Sequence, residues 1–137
     1  MMDWFNANLY REYGYHLIYP QIFPHHARQP DVANKATIEW GKAQACKMLQ
    51  ILNDYYLGQG KPYLCGDTLT IADYFGAALL TVGELISSDL SGYPNIERWL
   101  QSMKAIPSWS AVNEVHNGFA ASLKGKSLKG KSFMTLA

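Results

Sequence analysis

Residues 64–73 read Leu-Cys-Gly-Asp-Thr-Leu-Thr-Ile-Ala-Asp, and this stretch decides the fold class. Thr70 and Asp73 have the spacing of a Thr-x-x-Asp capping box, in which each side chain satisfies the other's free backbone amide at the start of a helix. Beyond the cap, apolar residues recur at the period of a helix, in the row Ile71, Phe75, Leu79, Val82 and Ile86. We therefore predict a buried helix that begins after Thr70 and faces the core through that row.

The same kind of pattern predicts four more helices around this one. The first covers residues 3–19 and is bent or ended by Pro20 and Pro24, since proline removes a backbone donor and crowds the preceding turn. The second covers residues 31–56. Pro94 opens the fourth helix, and Pro107 ends it and starts a fifth that carries Trp109, Val112 and Val115. With no convincing strand, the prediction is an all-α bundle of about five helices.

Charge divides the chain into an acidic body and a basic tail. Residues 1–121 carry eight Lys/Arg against eleven Asp/Glu, whereas residues 122–137 carry four Lys and no acid. The tail repeats Ser-Leu-Lys-Gly-Lys at 122–126 and 127–131, a composition typical of disorder. We predict one folded domain over residues 1–121 and a basic, disordered tail over 122–137. Four lysines give only a modest, salt-sensitive attraction to polyanions, so we expect no nucleic-acid and no membrane partner.

Composition excludes several other classes of protein. The chain has 137 residues, of which 48% are apolar and 17% are charged, as in a soluble globular domain. Its most apolar stretch, residues 71–86, contains Asp73 and Glu84 and is too interrupted for a membrane span. Two cysteines, Cys46 and Cys65, do not make a disulfide framework, and no Cys/His spacing suits a metal. We expect a cytoplasmic protein without a metal cofactor.

Three segments in order resemble the C-terminal domain of the glutathione transferases. Residues 64–73 resemble its core motif, in which a Gly-Asp turn leads into a Ser/Thr-x-x-Asp-capped buried helix. Residues 93–99 (Tyr-Pro-Asn-Ile-Glu-Arg-Trp) resemble the next helix of the family, and residues 103–109 (Met-Lys-Ala-Ile-Pro-Ser-Trp) resemble its helix-Pro-helix junction. The likeness extends over roughly residues 2–121 and implies the all-helical domain of that family.

This resemblance also implies what the chain lacks. Members of the family have a second, N-terminal thioredoxin-like domain that binds glutathione and supplies the activating Tyr, Ser or Cys. Nothing here resembles that domain, and the chain begins inside the first helix of the C-terminal one, as expected of a truncated product, a proteolytic fragment or a shortened reading frame. We therefore expect no catalytic residue in this chain. Conjugation of glutathione to a hydrophobic electrophile would require the missing domain, in an intact protein that is a homodimer.

Asp3, Tyr10 and Arg11 are the candidate substrate-binding residues. They share one side of the first helix at spacings of seven and eight, and the resemblance implies that this side faces glutathione and the electrophile. In that role Tyr10 donates a hydrogen bond to the substrate or leaving group, and Arg11 holds a carboxylate. The ordinary alternatives are a core aromatic residue and a solvated arginine. Thr70 and Asp73 are interpreted as structural, not catalytic.

Two further questions stay open at this point. The first helix is strongly aromatic, with Trp4, Phe5, Tyr13, Tyr15 and Tyr19, and these rings suit either core packing or a wall for flat apolar substrates. The domain also suits a non-catalytic role as a protein-interaction or assembly module, with an exposed apolar surface on its first two helices.

Overall fold

A computed structural model describes residues 1–125 and 133–136 of the chain. The fold is all-α, as predicted, and over the described residues the only extended pairing is an isolated bridge between Tyr63 and Gly66. In the same residues, no helix is long and apolar enough to cross a membrane.

Six helices make up the described part of the chain. Helix α1 is continuous and has three segments, Met2–Trp4, Phe5–Ile18 and Tyr19–Ile22, of which the middle one is wound in wide π-type turns. A 3₁₀ turn, Pro24–His26, leads towards helix α2, Asp31–Ile51, which a π-type segment continues over Leu52–Tyr56. Helix α3 is Ile71–Thr81, continued by a 3₁₀ segment, Val82–Ile86. Helices α4, α5 and α6 are Pro94–Lys104, Trp109–Val112 and Glu114–Leu123.

Helix α1 is longer than the positions of its prolines predict. It continues through Pro20 and ends at Ile22. The backbone N–H of Tyr19 donates to Gly14 five residues back, so the turn just before Pro20 is wider than an α-turn. A wide turn moves the preceding carbonyl away from the proline ring, which relieves the clash that normally ends a helix. The expected end at residue 19 was therefore wrong by one turn.

The pairing of α1 with α2 forms the centre of the core. Phe5, Leu9, Tyr13 and Leu17, four residues apart along α1, are at most 2% exposed. Gly41 lets α2 lie directly on α1, because a Cβ at this position would be only 2.6 Å from the carbonyl carbon of His16. The contact is with backbone, which cannot move aside as a flexible side chain can.

Asp73 joins three parts of the fold through hydrogen bonds to its buried carboxylate. Oδ2 accepts from the backbone N–H of Thr70 at 2.9 Å and from its hydroxyl at 3.1 Å, within the capping box that starts α3. Oδ1 accepts from the backbone N–H of Leu64 at 2.9 Å and from the indole N–H of Trp99 at 3.0 Å. The Leu64 bond fixes the preceding turn, in which Gly66 has a φ of +107° that favours glycine. One side chain thus fastens this turn and α4 to the start of α3.

The buried side of α3 is not the row of large residues that the sequence predicts. Ile71 is 71% exposed, and Phe75, Leu79 and Val82 are only half-buried. The buried side instead carries Asp73 and mostly small residues, namely Ala72, Gly76, Ala77 and Leu80. A Cβ on Gly76 would lie 2.6 Å from the ring of Phe5, so α3 approaches α1 too closely for large side chains to stand between them.

The C-terminal region also departs from the prediction. The expected fifth helix is two helices, in which Trp109 is buried whereas Val112 and Val115 are 80% and 88% exposed. Part of the tail predicted to be disordered is helical, since α6 ends at Leu123. Phe133, Met134 and Leu136 are partly buried against the core, while most of the Lys-Gly-Lys repeat, residues 126–132, lies outside the described residues.

Candidate substrate-binding face

The outward side of α1 carries a cluster of three tyrosine rings. The ring centroid of Tyr10 is 5.4 Å from that of Tyr15 and 5.9 Å from that of Tyr19, and Tyr15 and Tyr19 are 5.2 Å apart. All three contacts are edge-to-face, the arrangement that aromatic rings prefer. His26, from the turn after α1, packs on Tyr15 and Tyr19. We call Tyr10, Tyr15, Tyr19 and His26 the aromatic face.

The aromatic residues of the first helix divide into a buried set and a half-exposed set. Phe5 and Tyr13 are core residues, at 0% and 1% exposure, whereas Tyr15 is 46% exposed and Tyr10 and Tyr19 are half-buried. A half-exposed set of rings offers apolar contact area with polar hydroxyl tips, which suits the binding of flat organic molecules.

Tyr10 lies in the aromatic face as a neutral hydroxyl. Its hydroxyl forms a hydrogen bond with that of Tyr19. Burial and this hydrogen bond raise the pKa of Tyr10 well above its ordinary value. The group is thus a hydrogen-bond donor or acceptor at neutral pH and not a phenolate base.

Arg11 is exposed and is tied to a buried carboxylate that the sequence reading did not single out. Its Nε donates to Oε1 of Glu12 at 2.7 Å, and Nδ1 of His16 lies 2.7 Å from Oε2. Glu12 itself is 5% exposed. Burial raises the pKa of Glu12, but the hydrogen bonds and charges of His16 and Arg11 outweigh it, and the net pKa lies below its ordinary value. Because residues four apart are neighbours on a helix, the spacing of Glu12 and His16 could have predicted this contact from the sequence.

The Glu12→Gln variant should lose about 1 kcal/mol of unfolding free energy at neutral pH, because an amide is a poorer and uncharged acceptor for Arg11 and His16. A depressed folded-state pKa means that the carboxylate stabilises the fold fully above its unfolded pKa, about 4.3, and that this contribution is lost as the pH falls through the folded pKa. The difference between parent and variant should therefore close on acidification. Urea titrations between about pH 7 and pH 3, followed by circular dichroism, measure it. Equal stability at neutral pH would contradict this role.

The structure does not join the three predicted residues into one cluster. Asp3 is exposed in the first turn of α1, and no hydrogen bond or ion pair connects it with Tyr10 or Arg11, all of which lie in the described part of the chain. Tyr10 belongs to the aromatic face, and Arg11 belongs to the pair with Glu12. Their substrate contacts stay a prediction.

No group of His, Cys, Asp or Glu within residues 1–125 and 133–136 has the arrangement of a metal site. Cys46 is half-buried and Cys65 is exposed, and both are free thiols.

Comparison with known proteins identifies the family. The family model described as "Glutathione S-transferase, C-terminal domain" matches residues 16–107, which is well over half of the chain. The chain belongs to this family. Among curated proteins, it is similar to "Glutathione S-transferase D7" of Drosophila melanogaster, with 40% identity over 52 residues, covering 37% of this chain and 23% of that protein.

A second curated protein is similar to the chain over a comparable length. "Glutathione S-transferase D6" of Drosophila melanogaster is 33% identical over 60 residues, which cover 43% of the chain and 27% of that protein. The aligned part of the chain thus spans about a quarter of the length of these curated relatives. No solved structure matches the chain.

The family match includes the capping box but not the predicted site. Thr70 and Asp73 lie inside residues 16–107, as do Tyr19 and His26 of the aromatic face, whereas Tyr10 and Tyr15 precede that range. Asp3, Tyr10 and Arg11 precede the matched region. Membership of the family therefore supports the fold, whereas the cap is a feature of the structure, and the role of the three residues is left to experiment.

Proposed function

We propose that this domain forms one wall of the electrophile pocket of a glutathione transferase. The observation that carries the proposal is the half-exposed aromatic face on α1, in a domain of the glutathione transferase C-terminal family. A hydrophobic electrophile would lie against these rings. A thioredoxin-like N-terminal domain would bind glutathione, the co-substrate, and activate its thiol. The intact protein would be a cytoplasmic homodimer.

In this proposal the domain orients the electrophile and stabilises its leaving group. The glutathione thiolate forms the new carbon–sulfur bond, and the leaving group departs with the electron pair of the bond that breaks. Tyr10, a neutral hydroxyl, would donate a hydrogen bond to the substrate or the leaving group. Arg11 would hold a carboxylate through its terminal nitrogens, since its Nε is already bound to Glu12. Asp3, in the first turn of α1, would be the third substrate-binding residue.

A conjugation assay with glutathione and 1-chloro-2,4-dinitrobenzene tests the proposal. The purified 137-residue chain should give no turnover above the uncatalysed rate. The same chain fused behind a thioredoxin-like transferase domain should be active. In that fusion Tyr10→Phe should lower kcat/KM about fivefold, the value of one hydrogen bond in the transition state. Tyr55→Phe, on a tyrosine that is 71% exposed on α2, is the matched control and should change nothing. Turnover by the chain alone, or equal effects of both variants, would contradict the proposal.

A second candidate function, a non-catalytic assembly module, is favoured by the solvent side of α2. Trp40, Ile51 and Tyr55 are 58%, 41% and 71% exposed there and follow one another at helical spacing. Large apolar residues in a row at the surface are typical of an interface. An inactive but folded fusion protein, together with self-association of the chain that Trp40→Ser abolishes in sedimentation, would favour this function instead.

A further inference from the structure

A cavity of about 630 Å³ lies between the end of α1, the first turns of α2 and the C-terminal segment. Its lining is largely apolar and includes Ile22, Phe23, Val32, Ile38, Phe133 and Met134. Pockets of about 300–1,000 Å³ with mostly apolar walls are the usual form of small-molecule sites. The described residues that line this cavity come from α1, the turn after it, α2 and the C-terminal segment.

The C-terminal segment, Phe133 to Leu136, is held beside the cavity by the side-chain amide of Gln21. Gln21 Nε2 donates to the backbone carbonyl of Met134 at 2.9 Å, and Gln21 Oε1 accepts from the backbone N–H of Met134 at 2.6 Å. The same Nε2 also donates to the carbonyl of Leu17 at 2.8 Å, which anchors the amide to α1. This paired bond orients Phe133 and Met134 as one wall of the cavity.

The charges of the side chains that line the cavity cancel. Asp31 and Lys35, one helical turn apart on α2, contribute one negative and one positive side chain. The amide of Asn34 is already occupied, because its Oδ1 accepts from the backbone N–H of Arg28 at 2.8 Å and its Nδ2 donates to the carbonyl of Pro20 at 3.5 Å. A ligand with a net charge would gain no overall attraction here, whereas an apolar ligand would replace water along most of the wall.

We propose that this cavity binds an uncharged, mostly apolar small molecule and that the C-terminal segment is the wall that retains it. Phe133 contributes a ring to the site, and Gln21 fixes the segment through its backbone. Binding and docking of the segment therefore support each other, since the ligand contacts the segment only when it is docked.

Fluorescence titration of the 137-residue chain with N-phenyl-1-naphthylamine, an uncharged probe that brightens in apolar surroundings, tests the proposal. We expect a saturable signal with one site per chain. Phe133→Ala should weaken probe binding by about fivefold or more, because it removes apolar contact area from the wall. Val115→Ala is the matched control. It shortens an apolar side chain that is 88% exposed on α6 and does not line the cavity, so binding should stay within about twofold.

A second variant tests the cavity itself without touching the segment. Ala27→Phe places a ring at a half-buried position of the lining and should reduce probe binding by filling the space. Circular dichroism at each step checks that the variants keep the helical content of the parent. The absence of saturable binding, equal loss in Phe133→Ala and Val115→Ala, or unchanged binding in folded Ala27→Phe would each overturn the proposal.

Discussion

Replacing Asp73 with alanine should lower the free energy of unfolding by about 4 kcal/mol, because the change leaves several buried donors without an acceptor. Loss of a helix cap alone typically costs about 1 kcal/mol. Asp73 does more than cap α3, since it also accepts from the backbone of Leu64 and from the indole of Trp99, and its side chain is completely buried. Each unpaired buried donor adds about 1–3 kcal/mol.

The Asp73 experiment is a urea titration of three variants followed by circular dichroism. Asp73→Asn keeps the shape of the side chain but loses the charge and one acceptor, so it should fall between the parent and Asp73→Ala. It also keeps the measurement possible if the alanine variant does not fold. Asp67→Ala, an exposed carboxylate in the same loop, is the matched control and should change stability by less than about 0.5 kcal/mol. If Asp67→Ala lowered the free energy of unfolding as much as Asp73→Ala does, the hydrogen bonds of Asp73 would not be the cause of the loss.

Replacing Gly41 with alanine should destabilise the domain by about 3 kcal/mol, since overpacking a core forces the backbone to shift. An alanine normally stabilises a helix by about 1 kcal/mol relative to a glycine. The predicted net loss therefore requires a steric cost larger than this gain. The new methyl group would lie 2.6 Å from the carbonyl carbon of His16 and 2.8 Å from the nitrogen of Leu17. To make room, α2 would have to move away from α1.

The same substitution at Gly118 should have the opposite effect on stability. It lies within α6, and a Cβ at this position meets nothing within 4 Å. Gly118→Ala should therefore stabilise the domain by about 0.5–1 kcal/mol. Thermal unfolding of both variants gives the comparison, with a lower midpoint for Gly41→Ala and a higher one for Gly118→Ala. Shifts of the same sign would mean that helix propensity, and not the approach of α2 to α1, governs Gly41.

Local signals were sufficient for much of the fold. The spacing of Thr70 and Asp73 predicted the start of α3, and the helical period with flanking Gly and Pro predicted α2 at residues 31–56. The buried side of α3 could not be read in this way. Hydrophobic spacing favours the row that begins at Ile71, but the close approach of Phe5 to Gly76 is a contact between residues far apart in sequence.

The sites depend even more on distant contacts. Gln21 and Met134 are 113 residues apart, and the composition of the tail predicted disorder, so no local pattern indicated their pairing. Tyr10 was singled out through its position on the first helix, but its hydrogen bond with Tyr19 depends on how that helix is wound. The contacts of Asp3, Tyr10 and Arg11 with substrate stay predictions.

The winding of α1 creates the aromatic face. In a regular α-helix, residues five apart point about 140° away from each other, so Tyr10 and Tyr15 would not share a side. The wide turns over Phe5–Ile18 bring their rings to 5.4 Å. Rewinding α1 into a regular helix would place Tyr10 and Tyr15 on different sides and take the aromatic face apart. The buried residues Phe5, Leu9, Tyr13 and Leu17 are spaced by four, which a regular helix also keeps on one side, so the outer surface of α1 depends on its winding more than the core does.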